Sequence, residues 1–325
     1  MAIHRSLNPK PLIWETIELG EELGPVEGVV SDFQVKSFAY AVDDYGAWYL
    51  DNSPFGYRIG HPTLLSVDVV RLYHLVYEVR PPMYQSGLHA RNEIELLRPV
   101  PLGQKVILRG RYTEKYQKRG HDYVVLSGEV VDEAGQPFIR VRASETVGLG
   151  PNTPVGQLTG TPSRDAITGE VPSGAPIVEH ASRQAPIGSV LPALVKRSTL
   201  EQSIAFSGFP YGWVEGGSKA MRICIHTDPE DARQHGLSEV ILQALVSEAY
   251  MSEACTGFFG TSWLRTGRLS TIFIRPVIIG DTITTSGMVK RVEAEGERVR
   301  MHVDVWCRNQ VGELTAVGRA SAEVE

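Results

Sequence analysis

Arg98-Pro99-Val100 with Gly103 three residues on, and Arg275-Pro276-Val277 with Gly280, are the stretches that decide the fold. The second is the first repeated at an offset of 177 (275 minus 98). The same offset relates Asp132 and Gly135 to Asn309 and Gly312, and Arg142-Ala143-Ser144 to Arg319-Ala320-Ser321. Alignment without a net gap from Arg98 to Ser144 is no solenoid period, which spans roughly 20–50 residues. It reads as one domain duplicated and fused, and such a chain can build within itself the interface a homodimer would build.

Around these anchors the strands are legible. Residues 93–97, 105–115, 122–132 and 137–147 alternate apolar with polar side chains and are rich in Val, Ile, Tyr and Thr. Residues 270–274, 282–292, 299–308 and 314–324 repeat the pattern. Glu133-Ala134-Gly135 and Ala294-Glu295-Gly296-Glu297 read as hairpin turns. Strict alternation means one buried and one exposed face, so the sheets are expected to be antiparallel. Before each strand block lies one strongly apolar helical stretch, residues 63–79 and 240–258. Both are too apolar for a surface, so each is expected to be wrapped by its own sheet. A long central helix enclosed by a curved antiparallel sheet, twice over and joined edge to edge, is an α+β double hot dog. The expected organisation is a first half over 1–147, a Gly/Pro/Ser/Thr-rich linker over 148–186 that wraps the surface, and a second half over 187–325.

The bulk composition sets bounds. The chain has 325 residues, enough for two ordinary domains, with 42% hydrophobic and 22% charged residues. A formal charge of −6 argues against a general nucleic-acid binder. No apolar run approaches the roughly 18–20 residues of a membrane span, and Met1-Ala2-Ile3-His4-Arg5 opens no signal core. Cys224, Cys255 and Cys307 form no Cys-x-x-Cys pair, so neither a disulfide framework nor a metal site is suggested and the cysteines are expected to be small core residues. A reducing cytoplasm is the expected location.

The second half contains Ile225-His226-Thr227-Asp228-Pro229-Glu230-Asp231-Ala232-Arg233, then Gly236-Leu237. This segment resembles the His-x-Asp-x-x-x-Ala signature of the MaoC-like, R-specific enoyl-CoA hydratases and dehydratases. Phe273-Ile274-Arg275-Pro276-Val277 and Gly280-Asp281 resemble that family's strand signature. The first half resembles the family's N-terminal dehydratase-like domain through Phe38–Asp44, Trp48-Tyr49, Ser53-Pro54-Phe55-Gly56 and Gly87–Glu93.

The resemblance implies hydration chemistry on an acyl-CoA thioester, without metal or redox cofactor, the CoA belonging to the substrate. It needs an Asp and a His five residues apart on one loop to hold water and move its proton. It also needs a backbone N–H at the start of the buried helix to meet the enolate-like oxygen. The sequence departs from that pattern. Five residues before His226 stands Met221, while the first half pairs Asp44 with Tyr49, itself 177 before His226. Each half keeps one member of the pair, in what are expected to be different clefts. Residues 209–221 look like an insertion, with Glu215 as its one carboxylate and a candidate substitute base.

At the helix starts stand Gln243-Ala244 in the second half and His61-Pro62 in the first. Proline has no N–H, so the second half is the better candidate for an anion site. The candidate catalytic residues are therefore His226 and Asp44, and the candidate substrate-binding residues Tyr49, Gln243 and Ala244. Asp228 is expected to cap a helix beginning at Pro229, and His61 to serve local hydrogen bonds. Lys115, Lys118, Arg119 and His121 cluster at a Gly turn, either as a solvated hairpin tip or against CoA phosphates. Three readings stay open: a hydro-lyase, a non-catalytic acyl-CoA-binding protein or partner subunit, and a thioesterase using Glu248 or Glu253. A homodimer of double hot dogs is compatible with any of them.

Overall fold

The structure, a computed structural model, describes residues 8–78, 88–148, 166–207 and 224–324. Met221, Glu215, the 209–221 insertion, Gly87 and residues 1–5 lie outside them.

The first half runs β1 (Lys10–Pro11), β2 (Glu22–Val29), α1 (Asp32–Ala41), α2 (Ala47–Leu50), α3 (Leu64–Val70), a 3-10 turn (Arg71–Leu75) and β3 (Tyr77–Glu78). It continues with β4 (His89–Leu96), β5 (Lys105–Lys118), β6 (His121–Val131) and β7 (Pro137–Val147). The second half runs β8 (Leu194–Arg197), α4 (Leu200–Ser207), α5 (Pro229–Gln234), α6 (Ala244–Phe259), α7 (Thr261–Thr266) and β9 (Arg268–Phe273). It ends with β10 (Thr282–Glu295), β11 (Arg298–Arg308) and β12 (Leu314–Val324).

Ten strands form one antiparallel sheet in the order β2-β5-β6-β7-β4-β9-β12-β11-β10-β8. The order is a palindrome of the two halves: β2 answers β8, β5 answers β10, and β4 meets β9 at the centre. In that seam Glu93 pairs with Ser270, its own counterpart at offset 177 (270 minus 93). The pseudo-twofold axis therefore passes through this pair. Asn92, Ile94 and Leu96 of β4 face the core, while Glu93 and Glu95 lie on the outer face with Arg140, Arg142 and Arg268. Exposed pairs of this kind add little stability.

Each half wraps one central helix, as the alternation requires. In α6, Leu245, Val246, Ala249, Met251, Cys255 and Phe258 are all buried. In the first half the helix is shorter than the apolar pattern suggests. α3 ends at Val70, a 3-10 turn follows, and Tyr77–Glu78 leave as a strand paired in parallel with Lys10–Pro11. The β-branched residues Val67, Val69, Val70 and Val76 favour that early exit. Cys255 and Cys307 are buried and all three cysteines are free. The described part of the linker runs over the second half: Val190 bridges Ile177 and Met288, and Ala181 N–H donates to the Phe258 carbonyl at 2.8 Å. Among the described residues no helix is long and apolar enough to cross a membrane.

Candidate functional site

Two helix starts stand in equivalent places, and they differ in what occupies them. At the start of α3, His61 accepts from two N–H groups, while among the described residues nothing accepts from those of Leu65 and Ser66. Its Nδ1 accepts from Thr63 N–H at 3.1 Å, and its carbonyl accepts from Leu64 N–H at 3.0 Å. Because Nδ1 accepts, the ring proton sits on Nε2, and Nε2 lies 3.4 Å from Asp44 Oδ2. The other Asp44 oxygen accepts from Gly46 N–H at 3.1 Å. Asp44 thus meets an imidazole from the helix start, where the sequence had offered it only Tyr49. Tyr49 packs on the His61 ring with centroids 5.3 Å apart.

The second half closes over this pair. Lys196 Nζ donates to the carbonyls of Val42 and Asp43 and lies 2.5 Å from Glu253 Oε2 of α6. Burial opposes the charge on Asp44, yet His61, the Gly46 N–H and Lys196 together hold its carboxyl below the usual range. Burial, then the Asp44 charge, push Glu253 upward against the pull of Lys196. Burial likewise raises the Tyr49 hydroxyl, reinforced by Asp44. The cavity beside His61, lined by Leu64, Leu96, Phe138 and Leu264 among others, measures about 10 Å³. That is room for no more than one water molecule.

The start of α6 is arranged differently. Gln243 is the N-cap residue but its side chain does not cap the helix. It is turned sideways to Ser203 and Ser207 of α4. Among the described residues nothing accepts from the N–H groups of Ala244 or Leu245. Two N–H groups without an acceptor thus stand at the positive end of a 16-residue helix, an end that favours negative charge. His226 stands beside it. Its Nδ1 lies 2.9 Å from the carbonyl of Ile241, two residues before Gln243, and its own carbonyl accepts from Ser203 Oγ at 2.6 Å. A carbonyl can only accept, so Nδ1 carries the proton. Asp228 accepts from Asp231 N–H at 2.8 Å and caps α5, with Pro229 in its first turn. Lys115 is bound to the carbonyls of Trp14 and Ile17 in its own half.

One of the two acids named for the thioesterase reading makes a contact across the seam. Glu248, on the second turn of α6, accepts from Asn92 Nδ2 of β4 at 2.7 Å with no exposed surface on either residue. The signal was an acid inside an otherwise apolar central helix. Among the described residues no cluster of three or more His, Cys, Asp or Glu is placed to hold a metal.

Residues 223–310 match the family model described as MaoC like domain. A solved MaoC-like dehydratase superposes with a TM-score of 0.70 at 17% identity, over 94% of this chain and 98% of that one. A conserved hypothetical protein from Mycobacterium tuberculosis with a double hot dog fold superposes with a TM-score of 0.62 at 12% identity, over 96% and 98%. Full-length peroxisomal multifunctional enzyme type 2 from Drosophila melanogaster gives 0.59 at 16% identity, over 93% of this chain and 48% of that one. No curated protein sequence matches significantly. The fold and the paired helix starts define a double hot dog protein. The stretch similar to a MaoC like domain lies in its second half and spans the His226 loop and the α6 helix.

Proposed function

We propose that the chain is a hydro-lyase that adds water to, or removes it from, an acyl-CoA thioester at the start of α6. One observation carries the reading: the His226 imidazole, oriented by the Ile241 carbonyl, stands beside the unclaimed N–H groups of Ala244 and Leu245. The thioester oxygen takes the N–H groups, and the negative charge that develops on it is met by them and by the helix dipole. His226 Nε2 moves the water proton. Gln243, held by Ser203 and Ser207, sets the entry to the helix. The first-half pair of Asp44 and His61, with a cavity of about 10 Å³ beside it, is the closed counterpart, so Asp44 and Tyr49 brace the interface in this reading. No metal or redox cofactor takes part; CoA is carried by the substrate. The protein is expected to act in the cytoplasm, alone or as a homodimer of double hot dogs.

The test is a panel of trans-2-enoyl-CoA and 3-hydroxyacyl-CoA esters, followed through the conjugated double bond. Turnover by the wild type, with kcat lowered about 10²–10⁴-fold in His226→Ala, is expected. No turnover of any ester removes the assignment. Tight ester binding without turnover would point to a binding protein, and release of free thiol to a thioesterase.

A further inference from the structure

His226 and Gln243 stand on separate segments, and one side chain of α4 touches both. Ser203, fully buried, donates its hydroxyl to the His226 carbonyl at 2.6 Å and lies 3.1 Å from Gln243 Oε1. Both partners are carbonyl oxygens and a hydroxyl has one proton, so the shorter contact holds it. Gln243 is held by its other end, where Nε2 donates to the Ser203 carbonyl at 3.1 Å and to Ser207 Oγ.

The chain around His226 closes into a ring. Ile241 N–H donates to the Ile225 carbonyl at 3.1 Å, and His226 Nδ1 returns to the Ile241 carbonyl at 2.9 Å. Leu242 N–H donates to the Val277 carbonyl and Ile279 N–H to the Val240 carbonyl, which seats this segment beside Val277 and Ile279. Gly280 N–H donates to the Ser198 carbonyl at 3.0 Å, and Ser198 Oγ to the Ile278 carbonyl at 3.0 Å, just before α4. Thr199 Oγ1 accepts from Gln202 N–H at 3.2 Å and caps the helix that carries Ser203. α4 thus starts from the same turn that seats the entry to α6, and Ser203 reaches back from it to the His226 loop. The first half grips the far end of α4. Arg71 donates to the Phe206 carbonyl at 2.8 Å, and the Phe38 and Phe206 rings lie 5.7 Å apart.

We propose that Ser203 is a positioning residue, which fixes the His226 backbone so that Nδ1–H meets Ile241 and the imidazole stays beside the first turn of α6. The proposal rests on the hydro-lyase reading and adds to its working parts a residue outside the His226 loop and α6. Ser203 touches no reacting atom and acts through His226. An imidazole free in water favours its Nε2–H tautomer; one held at Nδ1 by a carbonyl takes the other.

Ser203→Ala removes the hydroxyl from the His226 carbonyl and leaves Gln243 its two Nε2 bonds. The entry to α6 keeps its place while the imidazole loses one of its ties. In the test, histidine rings labelled with the heavy nitrogen isotope show which nitrogen carries the proton at about pH 8, where an ordinary imidazole is neutral. The His226 signal is the one missing from His226→Gln, and kcat, KM and Tm are measured alongside with trans-2-enoyl-CoA esters. The expected wild-type signal is an Nδ1–H tautomer. It should become mixed with Nε2–H in Ser203→Ala but not in Ser207→Ala, whose hydroxyl bonds Gln243 and not His226. kcat of Ser203→Ala is expected to fall about 10–100-fold with KM nearly unchanged, and Ser203→Thr, which keeps a hydroxyl, to recover most of it. An Nε2–H tautomer in the wild type overturns the proposal without any variant. So does an unchanged His226 signal in a folded Ser203→Ala, or a KM that rises as much as kcat falls. A wild type that turns over no ester fails the hydro-lyase reading separately, and Ser203 is then judged by the ring signal alone.

Discussion

Lys196 is the residue that ties the first-half loop to the second-half helix. Its ammonium sits against the Val42 and Asp43 carbonyls and the Glu253 carboxylate, and only 7% of it is exposed. Asp43 has φ 54, a left-handed conformation that costs a non-glycine residue energy and needs support. Lys196→Met removes that support and leaves Glu253 without its cation. Breaking a buried ion pair costs about 3–5 kcal/mol; the 21% exposure of Glu253 lowers the expected loss to about 2–3 kcal/mol. A urea midpoint indistinguishable from wild type would contradict this. Glu248 makes a second prediction, in stability rather than rate. Its folded carboxyl titrates near 7 instead of the ordinary 4.5, so the folded state binds the proton more tightly. That contribution is complete below about pH 4.5 and is lost as pH rises through 7, amounting to about 3 kcal/mol. Tm of the wild type should therefore drop relative to Glu248→Gln between about pH 5 and 8, and parallel curves would refute it. His226 and the N–H groups at Gln243-Ala244 were legible because their chemistry is local in the chain. Lys196–Glu253 and Asn92–Glu248 were not, because each pair joins residues that only the closing of the two halves brings together.

At the scale of elements, eight of the twelve strands were readable to within four residues, since alternation is imposed by a sheet with one face on the core, while β1, β2, β3 and β8 were not read. The central helices were readable as apolar segments, but not their lengths, because Tyr77 and Glu78 answer to a pairing with β1 rather than to helix propensity. Two strand glycines leave no room for a side chain. A Cβ at Gly128 of β6 would lie 2.7 Å from Val69 Cγ1 of α3 and 2.7 Å from the Arg109 carbonyl. At Gly287 of β10 it would lie 2.8 Å from the Asp304 carbonyl. The Arg109 and Asp304 carbonyls are backbone and cannot swing aside. Gly128→Ala is expected to cost about 1–3 kcal/mol by pushing α3 off its sheet. Gly135→Ala, at a turn with φ 77 and nothing within 4 Å, tests a different mechanism: its cost comes from the backbone alone, about 1–2 kcal/mol. Thermal unfolding separates the two, because in Gly128→Ala the near-ultraviolet signal of the core should change before melting, and in Gly135→Ala it should not.

For the whole molecule, duplication lets each half spend the shared interface differently. The α3 start carries His61 against Asp44, while the α6 start carries Gln243 turned aside, and one chain holds a bracing site and a candidate working site related by the pseudo-twofold axis. That asymmetry can be tested by removing the first half. A chain of residues 187–325 alone leaves the β9 edge unpaired, and an exposed edge strand seeks a partner. Because the axis passes through Glu93 and Ser270, two copies can pair β9 with β9 about Ser270 in the native register. Leu269, the counterpart of Asn92 at offset 177, then stands where Asn92 stood, and each buried Glu248 loses its donor. A buried charge without a partner is far costlier than a neutral acid. The isolated half is therefore expected to form a homodimer that tightens as pH falls below about 7 and loosens above it. Sedimentation velocity at about pH 5.5 and 8 decides the matter. A stable monomer at both values would mean that the seam is not what completes this half, and equal dimer affinity at both would mean that Glu248 is not buried against the partner's strand.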